Sequence, residues 1–183
     1  MRRSDAFEVA VVGGLRAVKD PLRAAYAVRS LPPESRIRVT SIGPILEPEF
    51  QAEVASEAAT NVRFRWAGPL SHARSVRTIA QSDLLALTSR SEGGANVIGE
   101  AVTVGVPIVS SHIDGSIGLL GSDYPGFYPV ADTAVLQQVL RRVETEPEFL
   151  MALRTRCESL RPLFEPQRER ASWERLISEA FSR

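Results

Sequence analysis

Through the first two thirds of the chain, short apolar runs alternate with segments of helical period. Phe7-Glu8-Val9-Ala10-Val11-Val12 stops at Gly13-Gly14, as a buried parallel strand does where it feeds a tight turn. Residues 21–30 then carry Leu22, Ala25 and Tyr26 at helical spacing, with Pro21 suited to a first turn and Leu31-Pro32-Pro33 closing the segment. The pattern continues with a strand over 37–42, a helix over 48–59, a strand over 62–66 and a helix over 71–81. A strand over 84–87, a helix over 97–104 closed by Gly105, and a strand over 107–110 complete it. About six strands, each followed by a helix or turn, predict an α/β fold, a Rossmann-like open parallel sheet with helices on both faces.

Beyond that point Gly115, Gly118, Gly121, Pro125, Gly126 and Pro129 crowd together and predict a loop-rich stretch. Asp132 is placed to cap a helix running to Val143, and Pro147 to open another that ends near Leu160. Pro162 and Pro166 break the chain before a last helix over 168–181, with Trp173, Leu176, Ile177 and Ala180 on one face. With no repeat or linker in view, residues 1–183 read as a single domain.

The 22 basic and 22 acidic residues cancel, so the broad positive field of a nucleic-acid binder is missing. Arg141-Arg142 and the arginines of 154–161 alternate with Glu144, Glu146 and Glu158, the pattern of a solvated mixed-charge face. Cys157, alone, forms no intrachain disulfide and suits a reducing cytoplasm. No apolar run approaches the ~20 residues that cross a bilayer, and Met1-Arg2-Arg3-Ser4-Asp5 leads into a strand, so a cytoplasmic protein without a transmembrane segment is expected.

Ligands of open parallel sheets bind beyond the carboxyl ends of the strands. There the informative segment is Thr88-Ser89-Arg90-Ser91-Glu92-Gly93-Gly94-Ala95-Asn96-Val97-Ile98-Gly99-Glu100-Ala101, which leaves a strand, turns through two glycines and enters a helix. Gly93 and Gly94 let backbone approach a ligand, and the free N–H groups of a helix start favour phosphate. Glu92 and Glu100, seven residues intervening, could face one ligand from two ends and accept hydrogen bonds from vicinal hydroxyls. An ordinary turn in which Asn96 caps the helix and both acids are solvated explains the same residues. Metal-ligand spacing of His, Cys or Asp is missing, so no metal or cofactor is expected. Ser89, Ser91, Ser110 and Ser111 lack a nucleophile-elbow context, and Gly13-Gly14 lacks the full dinucleotide fingerprint.

Ser91-Glu92-Gly93-Gly94 through Glu100-Ala101, then Gly105-Val106-Pro107-Ile108-Val109-Ser110, resembles the signature of the family 4, or group 1, glycosyltransferases of the GT-B fold. Val12-Gly13-Gly14-Leu15 through Lys19, Val62 to Gly68, and Tyr128-Pro129-Val130-Ala131-Asp132-Thr133-Ala134 are similar to further segments of that family. Arg16-Ala17-Val18-Lys19-Asp20-Pro21-Leu22-Arg23, Glu92-Gly93-Gly94-Ala95-Asn96-Val97-Ile98, Tyr124-Pro125-Gly126 and Pro162-Leu163-Phe164 together resemble its bacterial selenosugar synthases of selenoneine biosynthesis. The resemblance implies a donor-binding, C-terminal half of a GT-B enzyme with a UDP-sugar as donor, retention at the anomeric carbon and, in that branch, a UDP-N-acetylhexosamine and a selenium nucleophile.

Carried onto this sequence, the resemblance gives Glu92, Lys19 and Arg16 catalytic roles, with Lys19 on phosphate and Glu92 on the donor sugar. It gives Glu100 the ribose hydroxyls and places Gly14, Gly93, Gly94, Ala95, Asn96 and Val97 along the donor. Gly14 stands where the family has an arginine, and Arg16, two residues on, is the substitute that the sequence offers; Gly118 stands about where many relatives have an acid. The acceptor half, an N-terminal GT-B domain, is expected to be absent because the first strand begins by residue 7, so the chain alone is expected to transfer sugar poorly or not at all. The resemblance also implies that Trp173, Leu176 and Ile177 on the last helix dock that half; packing within this domain explains the same residues at least as well. A UDP-sugar epimerase or phosphorylase, or a non-catalytic nucleotide-binding module, is the alternative. His112, Asp114 and Ser116 are weaker candidates: a lone histidine such as His72 or His112 is more often a surface or packing residue, and turn chemistry explains an Asp-Gly pair equally well.

Overall fold

The computed structural model describes residues 5–181. Six strands, β1 Phe7–Val12, β2 Ile37–Ile42, β3 Phe64–Trp66, β4 Leu84–Leu87, β5 Ile108–Ser111 and β6 Phe127–Tyr128, form one sheet in the order β3-β2-β1-β4-β5-β6. Every pairing is parallel, with Phe7 opposite Ile37 and Val12 opposite Ile42 along β1 and β2. The helices are α1 Arg23–Arg29, α2 Phe50–Thr60, α3 His72–Gln81, α4 Asn96–Thr103, α5 Asp114–Leu120, α6 Thr133–Thr145, α7 Pro147–Leu160 and α8 Pro166–Phe181. The Rossmann-like open parallel sheet expected from the alternation is the fold.

Every residue of β4 and β5 is buried, as strands covered on both faces must be. The core gathers there, with Val9 and Ala10 of β1, Ile98 and Ala101 of α4, and Leu136 and Leu140 of α6. From β1 the chain builds outward through β2 to β3. It then returns along α3 to lay β4 on the other side of β1, Val9 opposite Leu84. This reversal opens a crevice beyond the carboxyl ends of β1 and β4, because the connections that follow them run to opposite sides.

The strands and helices expected before residue 111 are present with small displacements of their ends, and α7 spans Pro147–Leu160 as expected. The stretch expected to be loop-rich holds α5 and β6 instead. Two glycines within seven residues weaken α5's helical signal, and β6, of two residues, is too short to show a period. The amide of Ile117 donates to the Ile113 carbonyl at 2.9 Å, and Gly121 closes the helix at φ +89°. Asp132 caps α6 as expected, accepting from the Val135 amide at 2.9 Å. At α4 the cap position belongs to Ala95, with no side-chain cap bond, and Asn96 is the first helical residue.

After α7 the turn Arg161–Phe164 lies across α4, where a β-carbon on Gly99 would stand 2.8 Å from the Phe164 ring. α8 follows and packs on that turn. Trp173, Leu176, Ile177 and Phe181 on it are exposed, and no helix among the described residues is long and apolar enough to cross a membrane.

Candidate functional site: two loops at the β1–β4 crevice

The first loop leaves β1 through Gly13-Gly14. A β-carbon on Gly43, after β2, would lie 2.0 Å from the Gly13 carbonyl oxygen, so the two loops meet backbone to backbone. A β-carbon on Gly14 would sit 2.3 Å from Cδ1 of Leu46, an exposed side chain that is free to turn away. The turn Ala17–Lys19 follows, and its first amide donates to Glu47 Oε2 at 2.6 Å. Asp20 then takes the left-handed conformation (φ 45°), at a cost of about 1 kcal/mol that aspartate bears better than most residues. Its buried carboxylate accepts from Arg23 Nε at 2.9 Å and Nη2 at 3.2 Å and lies 3.6 Å from Arg90 Nε. That network ties the turn to α1 and to the loop after β4.

The second loop is bound to the first at three points. The Arg90 amide donates to the Val18 carbonyl at 2.8 Å, and Thr88 Oγ1 donates to the Lys19 carbonyl at 3.0 Å. Lys19 Nζ forms an ion pair with Glu92 Oε1, the same oxygen that accepts from Ser89 Oγ at 2.7 Å. Ser111 Oγ in turn donates to the Ser89 carbonyl at 2.6 Å, so β5 braces the loop. The side chains of Lys19 and Glu92 are only 20% and 11% exposed. Lys19 is the only lysine in the chain.

Past Glu92 the loop opens. Gly93 and Gly94 are exposed with nothing within 4 Å of where a β-carbon would be, Ala95 is buried, and Asn96 and Val97 begin α4. On α4, Glu100 is held by His72, the first residue of α3, with Nε2 and Oε1 3.1 Å apart. Arg16 is extended (φ −152°), exposed, and without an ion pair among the described residues. The fold thus joins Lys19 to Glu92, places Gly93 through Val97 on one rim, and sets Glu100 on the helix leaving that rim.

Several residues that sustain this arrangement lie in segments the sequence singled out, but their own roles carried no sequence signal. Thr88, Ser89 and Asp20 act through bonds between segments far apart in sequence, and the His72–Glu100 contact joins α3 to α4. Ser116, a weak sequence candidate, is fully buried and accepts from Ser110 Oγ at 2.9 Å, so it faces the interior and not a ligand. Asp114 opens α5 and does not form a turn. His112 sits edge-on to Phe127, ring centroids 5.0 Å apart, beside Pro129 and Val130. A cleft of about 900 Å³ between Pro125, Pro147, Met151 and Thr155 involves neither glycine loop. No cluster of three or more His, Cys, Asp or Glu side chains among the described residues is placed to hold a metal.

The family model described as "Glycosyl transferases group 1" matches residues 2–158. The chain belongs to that family. Its sequence is similar to a D-inositol 3-phosphate glycosyltransferase of Rhodococcus jostii, 31% identical over 115 residues that make up 58% of this chain and 25% of that protein. It is also similar to the glycosyltransferase 1 domain-containing protein 1 of Xenopus tropicalis, 30% identical over 149 residues, or 76% of this chain and 40% of that protein. Among solved structures, Anabaena HepE in complex with UDP-glucose superposes with a TM-score of 0.80 at 19% identity, over 97% of this chain and 49% of that one. Sucrose-phosphate synthase of Thermosynechococcus elongatus gives 0.83 at 18%, over 97% and 46%. The group 1 domain therefore has the Rossmann-like fold of a GT-B domain and spans about half of these structures, and less of the two sequence relatives.

In this group 1 domain the two loops carry the half-buried Lys19–Glu92 pair, the exposed Arg16 and the amides that open α4, and α4 itself carries Glu100. Such a set suits a ligand with negative charge at its centre and hydroxyl groups at both ends.

Proposed function

We propose that this domain binds the UDP-sugar donor of a retaining glycosyltransferase at the β1–β4 crevice. The observation that carries the reading is the meeting of the chain's only lysine with Glu92 across the two loops, beside the open Gly93-Gly94 rim. The family match and the likeness to HepE, solved with UDP-glucose, support the same ligand class. In this reading Lys19 and Arg16 hold the diphosphate, the amides opening α4 add to them, Glu92 takes hydroxyls of the sugar, and Glu100 takes the ribose diol. Gly14, Gly93, Gly94, Ala95, Asn96 and Val97 bring backbone and small side chains close to the donor.

Chemistry follows from charge. The bond from the anomeric carbon to the β-phosphate oxygen breaks, its electron pair leaves with UDP, and a bond to the acceptor nucleophile forms on the same face. Negative charge grows on the β-phosphate, where Lys19, Arg16 and the α4 N-terminus lower its energy. Binding draws Lys19 away from Glu92 Oε1 toward phosphate and opens one lone pair of that oxygen, which still accepts from Ser89, to the sugar. The likeness of 16–23, 92–98, 124–126 and 162–164 to selenosugar synthases favours a UDP-N-acetylhexosamine donor and a selenium nucleophile, and the lone Cys157 suits action in the cytoplasm. Because the chain spans about half of the matched structures, we assign the acceptor wall to a second, N-terminal domain, without which this one binds donor and transfers little.

Titration calorimetry of the 183-residue chain with UDP and UDP-N-acetylglucosamine tests the reading. Wild type is expected to bind both. Glu100→Ala is expected to weaken both about tenfold, and Glu92→Gln to weaken the UDP-sugar while sparing UDP. Failure of the folded wild type to bind either ligand overturns the reading.

A further inference from the structure

We infer that His72 is a positioning residue for Glu100 and thereby sets the preference of the site for ribonucleotides over 2′-deoxyribonucleotides. The inference rests on the donor-site reading and adds to it a residue from a third element, α3. His72 is the first residue of α3, which packs against α4, and its Nε2 lies 3.1 Å from Glu100 Oε1. An ionised carboxylate only accepts, so Nε2 carries the hydrogen in this contact.

The contact engages one oxygen of Glu100 and leaves Oε2 with its lone pairs for a ligand. A glutamate at a helix surface can sample several rotamers, and fixing it on ligand binding costs side-chain entropy. The Glu100 side chain is 23% exposed while that of His72 is 79% exposed, so the imidazole can hold the carboxylate from the solvent side without itself being packed in the core. A vicinal diol presents two donors to a carboxylate whose orientation is already set, and a 2′-deoxyribose presents one. Held by His72, Glu100 therefore distinguishes the two sugars. Released, it gives up part of that distinction.

The test is equilibrium titration of the 183-residue chain with UDP and with 2′-deoxy-UDP, for wild type, His72→Ala, His72→Gln, Glu100→Ala and the double variant His72→Ala/Glu100→Ala. His72→Ala is expected to weaken UDP by about threefold to tenfold, the worth of one hydrogen bond, while 2′-deoxy-UDP changes little. His72→Gln, which keeps an amide donor near the Nε2 position, is expected to recover most of the loss. On the Glu100→Ala background the histidine substitution is expected to add nothing. Equal weakening of both nucleotides, no change in either, or an undiminished loss on the Glu100→Ala background overturns the inference. Where wild type binds UDP and Glu100→Ala abolishes the discrimination but His72→Ala does not, the inference falls alone. Where the folded wild type binds neither nucleotide, it falls together with the donor-site reading.

Discussion

Gly115 and Glu92 touch backbone to backbone: a β-carbon at 115 would stand 2.2 Å from the Glu92 carbonyl oxygen and 2.9 Å from its carbonyl carbon. The first turn of α5 is thus a floor beneath the loop that carries Glu92, and the floor is smooth only because residue 115 has no side chain. Gly115→Ala must push the loop or the helix away. It is expected to destabilise the domain by about 1–3 kcal/mol, as overpacking does, and to weaken UDP-sugar binding by displacing Glu92. Gly118, on the same helix, has nothing within 4 Å of a β-carbon and no positive φ. Gly118→Ala is therefore expected to stabilise by about 0.5–1 kcal/mol and to leave binding unchanged. Urea unfolding of the two variants checks the opposite signs, and a stabilising Gly115→Ala would refute the floor.

Because Lys19 is the only lysine, its chemistry can be followed without mutagenesis. Reductive methylation with labelled formaldehyde modifies only Lys19 and the α-amino group. A UDP-sugar is expected to protect Lys19 and leave the terminal amine reactive, with protection following the binding curve. Lys19→Ala is expected to weaken UDP by about tenfold or more, since a charge-assisted contact to phosphate is worth roughly 1.5–3 kcal/mol. Equal reactivity of Lys19 with and without saturating ligand would remove it from the site.

The parts of this arrangement that could be read from sequence are those with a local signature. Buried runs such as Leu84-Leu85-Ala86-Leu87 mark strands, Asp132 marks a cap, and the spacing of Glu92 and Glu100 with Gly93-Gly94 between marks a loop entering a helix. The hidden parts depend on what the fold brings together. Gly115 looked like the second half of an Asp-Gly turn, but it is glycine because the Glu92 backbone passes over it. β6 is defined only by Ser110 opposite Phe127 and Ser111 opposite Tyr128, a pairing that no run of two residues announces. Likewise, nothing in His72 points to Glu100 until α3 lies beside α4.

The interior also sets an alkaline limit. Tyr124 Oη donates to the Ile108 carbonyl at 2.6 Å beside Cys157 Sγ, and burial pushes both the phenol and the thiol above their usual ranges; Tyr128, whose hydroxyl donates to the Leu87 carbonyl at 3.1 Å, is raised for the same reason. Each group keeps its proton more firmly folded than unfolded. The stability that the two phenols contribute is complete below the unfolded tyrosine value of about 10 and is lost as pH rises above it, while the thiol's share begins to fall above its own unfolded value of about 8.5. Tyr124→Phe is expected to cost about 1 kcal/mol at pH 8 and to flatten the decline between pH 10 and 11, measured by urea unfolding at each pH. Parallel decline of wild type and variant would show that the phenol is not the group responsible.

α8 differs in kind from the helices that cover the sheet. Trp173, Leu176 and Ile177 are 56%, 54% and 53% exposed, and the helix packs on the Arg161–Phe164 turn, not on the core. Removing the residues after Glu165 therefore takes almost no buried apolar surface of the described side chains out of the domain. The melting temperature is expected to fall by less than about 2 °C, because a surface loss of under about 0.5 kcal/mol moves a domain of this size only that far. A large fall would show that the helix completes the core. If instead its apolar face meets the acceptor-side domain, then the truncated and intact chains bind UDP alike. Adding that domain then shifts Trp173 emission to the blue in the intact chain and restores transfer to it alone.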